Sequence, residues 1–189
     1  MKKSLILVAL ACLAFAGLAY ADLNDYASSH VYVNVVPNIS ISPAAATVAL
    51  GTIQTGSFGS GITFRIDANT EQVKFQAGVS RLYKGDCPTC VLVAPIDIAA
   101  GGVGIVAEAA MPTGGHSSTA VFDGDYLDIQ DGFMGRKTEW VTFESAQNNH
   151  FSQSITLTPT WVQPDAEKPI GEYSGVVALW AMVVPVQPS

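Results

Sequence analysis

The feature that most narrows what this chain can fold into is a period of two. Val73, Phe75, Ala77 and Val79 place apolar side chains at every second position, opposite Lys74, Gln76 and Ser80. Successive side chains of a strand point to opposite faces, so this run has one face for a core and one for water. Similar short runs recur at Val31-Tyr32-Val33-Asn34-Val35, at Ile39 and Ile41 between serines, and at Thr47 to Ile53, Ile62 to Ile66 and Val91 to Ile98. They continue at Ile105 to Ala110, Thr119 to Phe122, Trp140 to Glu144, Phe151 to Trp161 and Tyr173 to Val184. Gly, Pro, Asn and Asp punctuate them, and nothing beyond residue 21 repeats apolar residues at the three-to-four spacing of a helix. The pattern predicts an all-β fold, a two-sheet antiparallel β-sandwich of about nine to eleven strands.

Two of these runs say more. Pro95 within Val91 to Ile98 points to an edge strand or a bulge. Tyr173 to Val184 is apolar on both faces, so it is expected to be central in the sandwich or covered by a partner. Gly56 to Gly61, Asp123 to Gly135 and Gln163 to Gly171 read as loops, and Asp67 to Thr70 as a turn.

The first residues have a different logic. Lys2 and Lys3 precede an apolar run from Leu5 to Leu18, and Ala19-Tyr20-Ala21 supplies small residues for cleavage. This is the layout of a secretory signal peptide, residues 1–21, with a signal helix at its centre. The apolar run is shorter than the roughly 20 residues a membrane span requires. Cleavage before Cys12, the lipoprotein alternative, would leave Leu13 to Tyr20 as an apolar mature end and is set aside. Residues 22–189 then form a single β-sandwich domain, exported through the periplasm to the cell surface or beyond, with no membrane contact once the leader is gone. Loss of Lys2 and Lys3 takes the net charge from −7 to −9. Such a chain is repelled by phosphate backbones and has no basic stripe to offset this, which excludes nucleic acid as a partner.

The candidate sites are sparse. Cys87 and Cys90, in Asp86-Cys87-Pro88-Thr89-Cys90, are expected to close a tight loop by a disulfide in an oxidising compartment. A redox-active pair needs a helix after the first thiol, and Val91 to Ile96 reads as a strand. Asp123 to Gly132 is expected to be a solvated acidic loop. No cofactor is required, but calcium, if the loop takes one, would be held by Asp123, Asp125, Asp128 and Asp131. His30, His116 and His150 are too scattered to ligate a metal together. Gly115-His116-Ser117-Ser118 lacks the elbow of a serine nucleophile, and Asp128, Glu139 and Glu144 are a carboxylate set that any acidic β-protein offers. The chain is therefore read as no enzyme. Trp140, Trp161 and Trp180 lie in or beside strands and are expected in the core rather than on a sugar-stacking surface. Asn38-Ile39-Ser40 has the form of a glycosylation acceptor, which carries little weight behind a leader of bacterial character.

The segment Gly171-Glu172-Tyr173-Ser174-Gly175, followed by Val176-Val177-Ala178-Leu179, resembles the closing strand of secreted bacterial domains of the pilin and spore-coat-U-like type. The apolar strand Val31 to Val35 soon after the leader is similar in layout. The resemblance implies an incomplete immunoglobulin-like sandwich completed by a strand from a neighbouring subunit, with Val31, Val33 and Val35 on the exchanged strand and Tyr173, Val177 and Leu179 bordering its acceptor. The local Cys87–Cys90 pair and the tail Pro185 to Ser189 depart from that pattern. The function expected is a structural subunit that self-associates, or joins related surface subunits, through strand edges. The alternative is a monomeric module for carbohydrate or another matrix polymer, with calcium in support.

Overall fold

The computed structural model describes residues 28–33, 35–90, 92–108, 117–147 and 149–184. They fall into two compact units, one ending at Val35 and one beginning at Val36. The described part of the first unit has no regular secondary structure, and its His30 and Tyr32 rings lie 6.0 Å apart. The expected signal helix lies outside the described residues.

The second unit holds every described strand. In chain order these are β1 (Ile39–Pro43), β2 (Gly56–Gly59), β3 (Ile62–Ala68), β4 (Gln72–Ser80), β5 (Tyr83–Lys84), β6 (Asp97–Ile98), β7 (Val103–Ala107) and β8 (Ser117–Ala120). They continue with β9 (Phe122–Gln130), β10 (Phe133–Thr138), β11 (Val141–Glu144), β12 (Phe151–Thr158), β13 (Thr160–Gln163), β14 (Tyr173–Ser174) and β15 (Val177–Val183). All pairings are antiparallel, and no helix occurs among the described residues. The expected all-β class is therefore what is observed.

The first large sheet runs β1-β3-β12-β7-β8. The second is built around β4, which pairs with β15 along one edge and with β11 and β10 along the other, with β9 outside β10. The period of two reads directly onto the packing. Val73, Phe75, Ala77 and Val79 of β4 are all fully buried, as are Ile66 of β3, Val103 and Ile105 of β7, and Phe151, Ile155 and Leu157 of β12. These residues form one apolar cluster across both sheets, and the Phe75 and Phe151 rings meet edge-on at 5.6 Å. The result is sandwich-like. A small sheet, β2-β13-β6, seats the buried Trp161 beside Phe58, and its indole nitrogen donates to the carbonyl of Ser80 at 2.8 Å.

Several expectations need correction. Thr47 to Ile53 has no strand partner, and only Leu50 and Ile53 are partly shielded. Gly56 to Gly59, expected in a loop, is a strand paired with β13; its single apolar side chain left no alternation to see. Of the described residues in the expected Val91 to Ile98 strand, only Asp97–Ile98 forms a strand; Ile96 adds a single bridge to Leu82, and Leu92 is fully exposed. The Phe151 to Trp161 run is divided by Pro159, which cannot donate to a ladder, and Tyr173 to Val184 is divided at Gly175-Val176. Such divisions raise the segments to fifteen among the described residues. Ser80, expected to face water, is buried and accepts a hydrogen bond from the Val176 amide at 2.8 Å.

The largest correction concerns the acidic segment. Asp123 to Gly135 is not a loop but most of a hairpin, β9 and β10, turning at Asp131-Gly132. Both turn residues have positive φ, 53° and 87°, as a two-residue turn of type I′ requires. Asp-Gly is the strongest short hairpin signal, and here four nearby carboxylates obscured it.

Because β4 anchors the second sheet and Phe75 touches both Phe143 and Phe151, Phe75→Ala is expected to lower unfolding free energy by about 3–5 kcal/mol. Urea denaturation followed by tryptophan fluorescence measures this. A loss under about 1 kcal/mol would mean that the sheets do not share this core.

Candidate functional site

The site begins at the Gly-x-Tyr-x-Gly segment. Tyr173 and Ser174 pair with Lys84 and Tyr83 of β5, and the Tyr173 hydroxyl donates to the Pro169 carbonyl at 2.9 Å. Gly175 passes so close to the end of β4 that a Cβ there would lie 2.6 Å from Ser80 Oγ and 2.7 Å from the Arg81 carbonyl. That close passage delivers the chain to β15, which runs along β4 from Val177 opposite Val79 to Val183 opposite Val73.

The hydrogen-bond phase of β15 decides what its far edge can do. The Ser80 amide donates to Val176 O at 2.9 Å, and the Val184 amide donates to Gln72 O at 3.1 Å. Bonded pairs alternate along an antiparallel ladder, so the even positions face β4. The backbone groups of Val177, Leu179, Ala181 and Val183 therefore face away from it. Among the described residues no strand pairs with that side. The apolar side chains at these odd positions turn toward the core, where Leu179 is buried and the other three are partly covered. The strand thus occupies an edge, not the centre of its sheet.

β1 of the first sheet lies next to β15. Its bonds to β3 follow the same alternation, since Asn69 N donates to Asn38 O at 3.2 Å and Ala44 N to Thr63 O at 2.9 Å. Ile39 and Ile41 therefore turn their backbone groups outward. Edges are normally blunted by charge, proline, bulges or short length. β1 ends in Pro43, β8 is four residues long, and β9 carries three aspartates and a glycine. β15, Val-Ala-Leu-Trp-Ala-Met-Val, has none of these devices.

The other predicted residues are placed as follows. Val31, Val33 and Val35 lie in no strand and are 87, 83 and 78% exposed. Cys87 and Cys90 are joined by a disulfide, their Cα atoms 5.3 Å apart, on the loop after β5. Asp123, Asp125, Asp128 and Asp131 are spread along β9 and its turn, and no group of three or more ligand-type residues converges among the described residues. Asp128 instead accepts the Gly132 amide at 3.1 and 3.2 Å, which fastens the turn. Glu144 accepts from Gln72 Nε2 at 3.3 Å, Glu139 and His150 are exposed, and His116 lies outside the described residues. Of the tryptophans only Trp161 is in the core. Trp140, one residue before β11, is 43% exposed, and Trp180 is partly exposed because it follows the outward parity of β15.

Sequence reasoning missed one polar cluster. The Arg81 guanidinium lies 3.8 Å from the centre of the Tyr126 ring and bonds Asp97 through Nε at 3.2 Å, while the Tyr126 hydroxyl donates to the same carboxylate. It ties the residue after β4 to β6 and β9, with no signal in spacing or motif. Partial burial would raise the Asp97 carboxyl, but the hydrogen bonds from Tyr126 and Arg81 outweigh it and hold that group below its usual range. Burial, then the bond to Asp97, pushes the Tyr126 hydroxyl up. No helix among the described residues is long and apolar enough to cross a membrane.

The geometry defines an all-β, sandwich-like protein whose distinguishing feature is an unprotected strand edge. Compared with known proteins, the chain matches no family model, no curated protein and no solved structure.

A depressed carboxyl stabilises the fold above its unfolded value, here 3.8, and the gain is lost as pH falls through the lower folded value. Asp97→Asn is therefore expected to cost about 0.5–1 kcal/mol at pH 7, discounted for solvent screening, with the gap to the parent closing below pH 4. Thermal melts from pH 7 to pH 2 measure it. A gap that widens with acid would contradict the assignment.

Proposed function

We propose that this chain is an exported, non-enzymatic structural subunit of the cell surface, and that copies assemble by adding a strand to the β15 edge. The observation that carries this reading is the outward row of backbone groups at Val177, Leu179, Ala181 and Val183, on an apolar strand without charge or proline. A pairing strand would satisfy those groups and extend the core over the partly covered Val177, Ala181 and Val183. The occupant proposed is the segment Val31 to Val35 of a neighbouring copy, whose valines at every second position present one apolar face to such an acceptor. The sandwich is then an immunoglobulin-like domain that lacks one strand until it assembles. The lysine-led leader and its Ala-Tyr-Ala end support export, with Asp22 as the first residue of the processed chain.

Two variants test the assembly. Deletion of residues 22–36 removes the donor and is expected to convert large oligomers to monomers in analytical ultracentrifugation. Ala181→Pro removes one outward N–H while sparing the pairs with β4, so it should block the acceptor of an otherwise folded domain. Monomeric parent protein, or oligomers that survive both changes, would refute strand addition. Mass spectrometry of secreted protein should give a chain starting at Asp22, and an intact Met1 would refute processing.

A further inference from the structure

The segment Val31 to Val35 leads into the second unit at Val36, and one side chain governs the path it leaves by. Asn69, the residue after β3, follows the last pair of the β1–β3 ladder, Ile39 with Ala68. Its backbone amide donates to Asn38 O at 3.2 Å, which adds one rung. Its side chain adds two bonds more. Oδ1 accepts from the Asn38 amide at 2.6 Å, and Nδ2 donates to Val36 O at 2.9 Å. A primary amide offers an acceptor and a donor side by side, as a peptide group does. Asn69 thus stands in for the strand residue that β3 no longer supplies.

These bonds oppose the local sequence. Pro37-Asn38 has the chemistry of a tight turn, with proline at its first central position and asparagine at its second. In such a turn the Val36 carbonyl would accept the Ile39 amide and the chain would reverse. Residues 31–35 would then lie antiparallel to β1, along the outward groups of Ile39 and Ile41 and beside the unpaired edge of the neighbouring β15. The structure shows the other path. Val36 to Asn38 form no turn, and the Val36 carbonyl is taken by Asn69. Val36 O and both backbone groups of Asn38 face β3, as alternate residues of an extended strand do. The chain therefore continues the line of β1 past the end of β3.

We propose, on the reading that copies assemble by strand addition, that Asn69 is a positioning residue that keeps residues 31–35 off the β15 edge of their own domain and so leaves them for a neighbour's. The Val36 carbonyl is the switch point. Bonded to Asn69, it sends the segment outward; bonded to Ile39, it closes the turn and lets the segment fill its own groove. Two neutral hydrogen bonds shift such a choice by about tenfold to a hundredfold. Without the amide, a copy closes on itself as a monomer.

The test is sedimentation velocity of the processed chain and its Asn69→Ala variant at equal concentration, with a synthetic peptide of residues 28–36 as a binding probe. The parent is expected as large oligomers, and Asn69→Ala should raise the monomer-to-oligomer ratio by about tenfold or more. Asn69→Asp keeps the acceptor for Asn38 without the donor to Val36, so it should fall between the two. Monomers of Asn69→Ala should refuse the peptide, while the chain lacking residues 22–36 takes it, because only a filled groove excludes the probe. A variant that merely packed less well would leave the groove open and bind. Cooperative thermal melts verify folding, and Asn69→Asp carries the comparison if Asn69→Ala does not melt cooperatively. A monomeric parent, or a deleted chain that ignores the peptide, would sink strand addition and this proposal with it. An oligomeric parent beside an Asn69→Ala chain that assembles equally, or whose monomers take the peptide, overturns the role of Asn69 alone.

Discussion

Everything else in the structure is arranged around the inward face of β4. Val73, Phe75, Ala77 and Val79 are fully buried, and Phe75 reaches Phe151 in the facing sheet. The same strand pairs with β10, β11 and β15. One strand therefore both closes the core and carries the sheet that bears the candidate edge. The hydrophobic gain lies at its odd positions, and its even positions are left to support an outer face.

That division has consequences at the edge and on the outer face. β15 hangs from β4 through its even-numbered backbone groups, which leaves the odd-numbered ones directed outward along an apolar edge. Its even-numbered side chains, Ala178, Trp180 and Met182, stand on the outer face beside Lys74, Gln76 and Gly78. A single strand so serves an edge through its backbone and a face through its side chains. Gly175 makes this placement feasible, since any Cβ at that point would strike Ser80 and Arg81.

Where alternation was strong, the fold was legible. The strands at Ile62–Ala68, Gln72–Ser80, Val141–Glu144 and Phe151–Thr158 stand where the period of two put them, and the buried residues of β3, β4 and β12 follow the expected parity. Legibility failed where pairing, rather than side-chain pattern, makes the strand. Gly56–Gly59 has too few side chains to alternate, and Thr47 to Ile53 has the composition of a strand but no neighbour. The acidic hairpin was misread because its carboxylates outweighed Asp131-Gly132, although that dipeptide carried the turn. The candidate edge was half legible: two apolar faces marked Tyr173 to Val184 as unusual, without saying which side would lack a partner.

The sequence by itself determined the all-β class, the inward parity of the main strands and the proximity of Cys87 to Cys90, because each depends on residues a few positions apart. Only the tertiary structure decided that β15 lies at an edge, that Trp161 is buried while Trp140 is not, and that Arg81, Tyr126 and Asp97 meet. Those outcomes depend on which distant strands become neighbours. That choice is made by the summed burial of whole faces, and no local spacing encodes it.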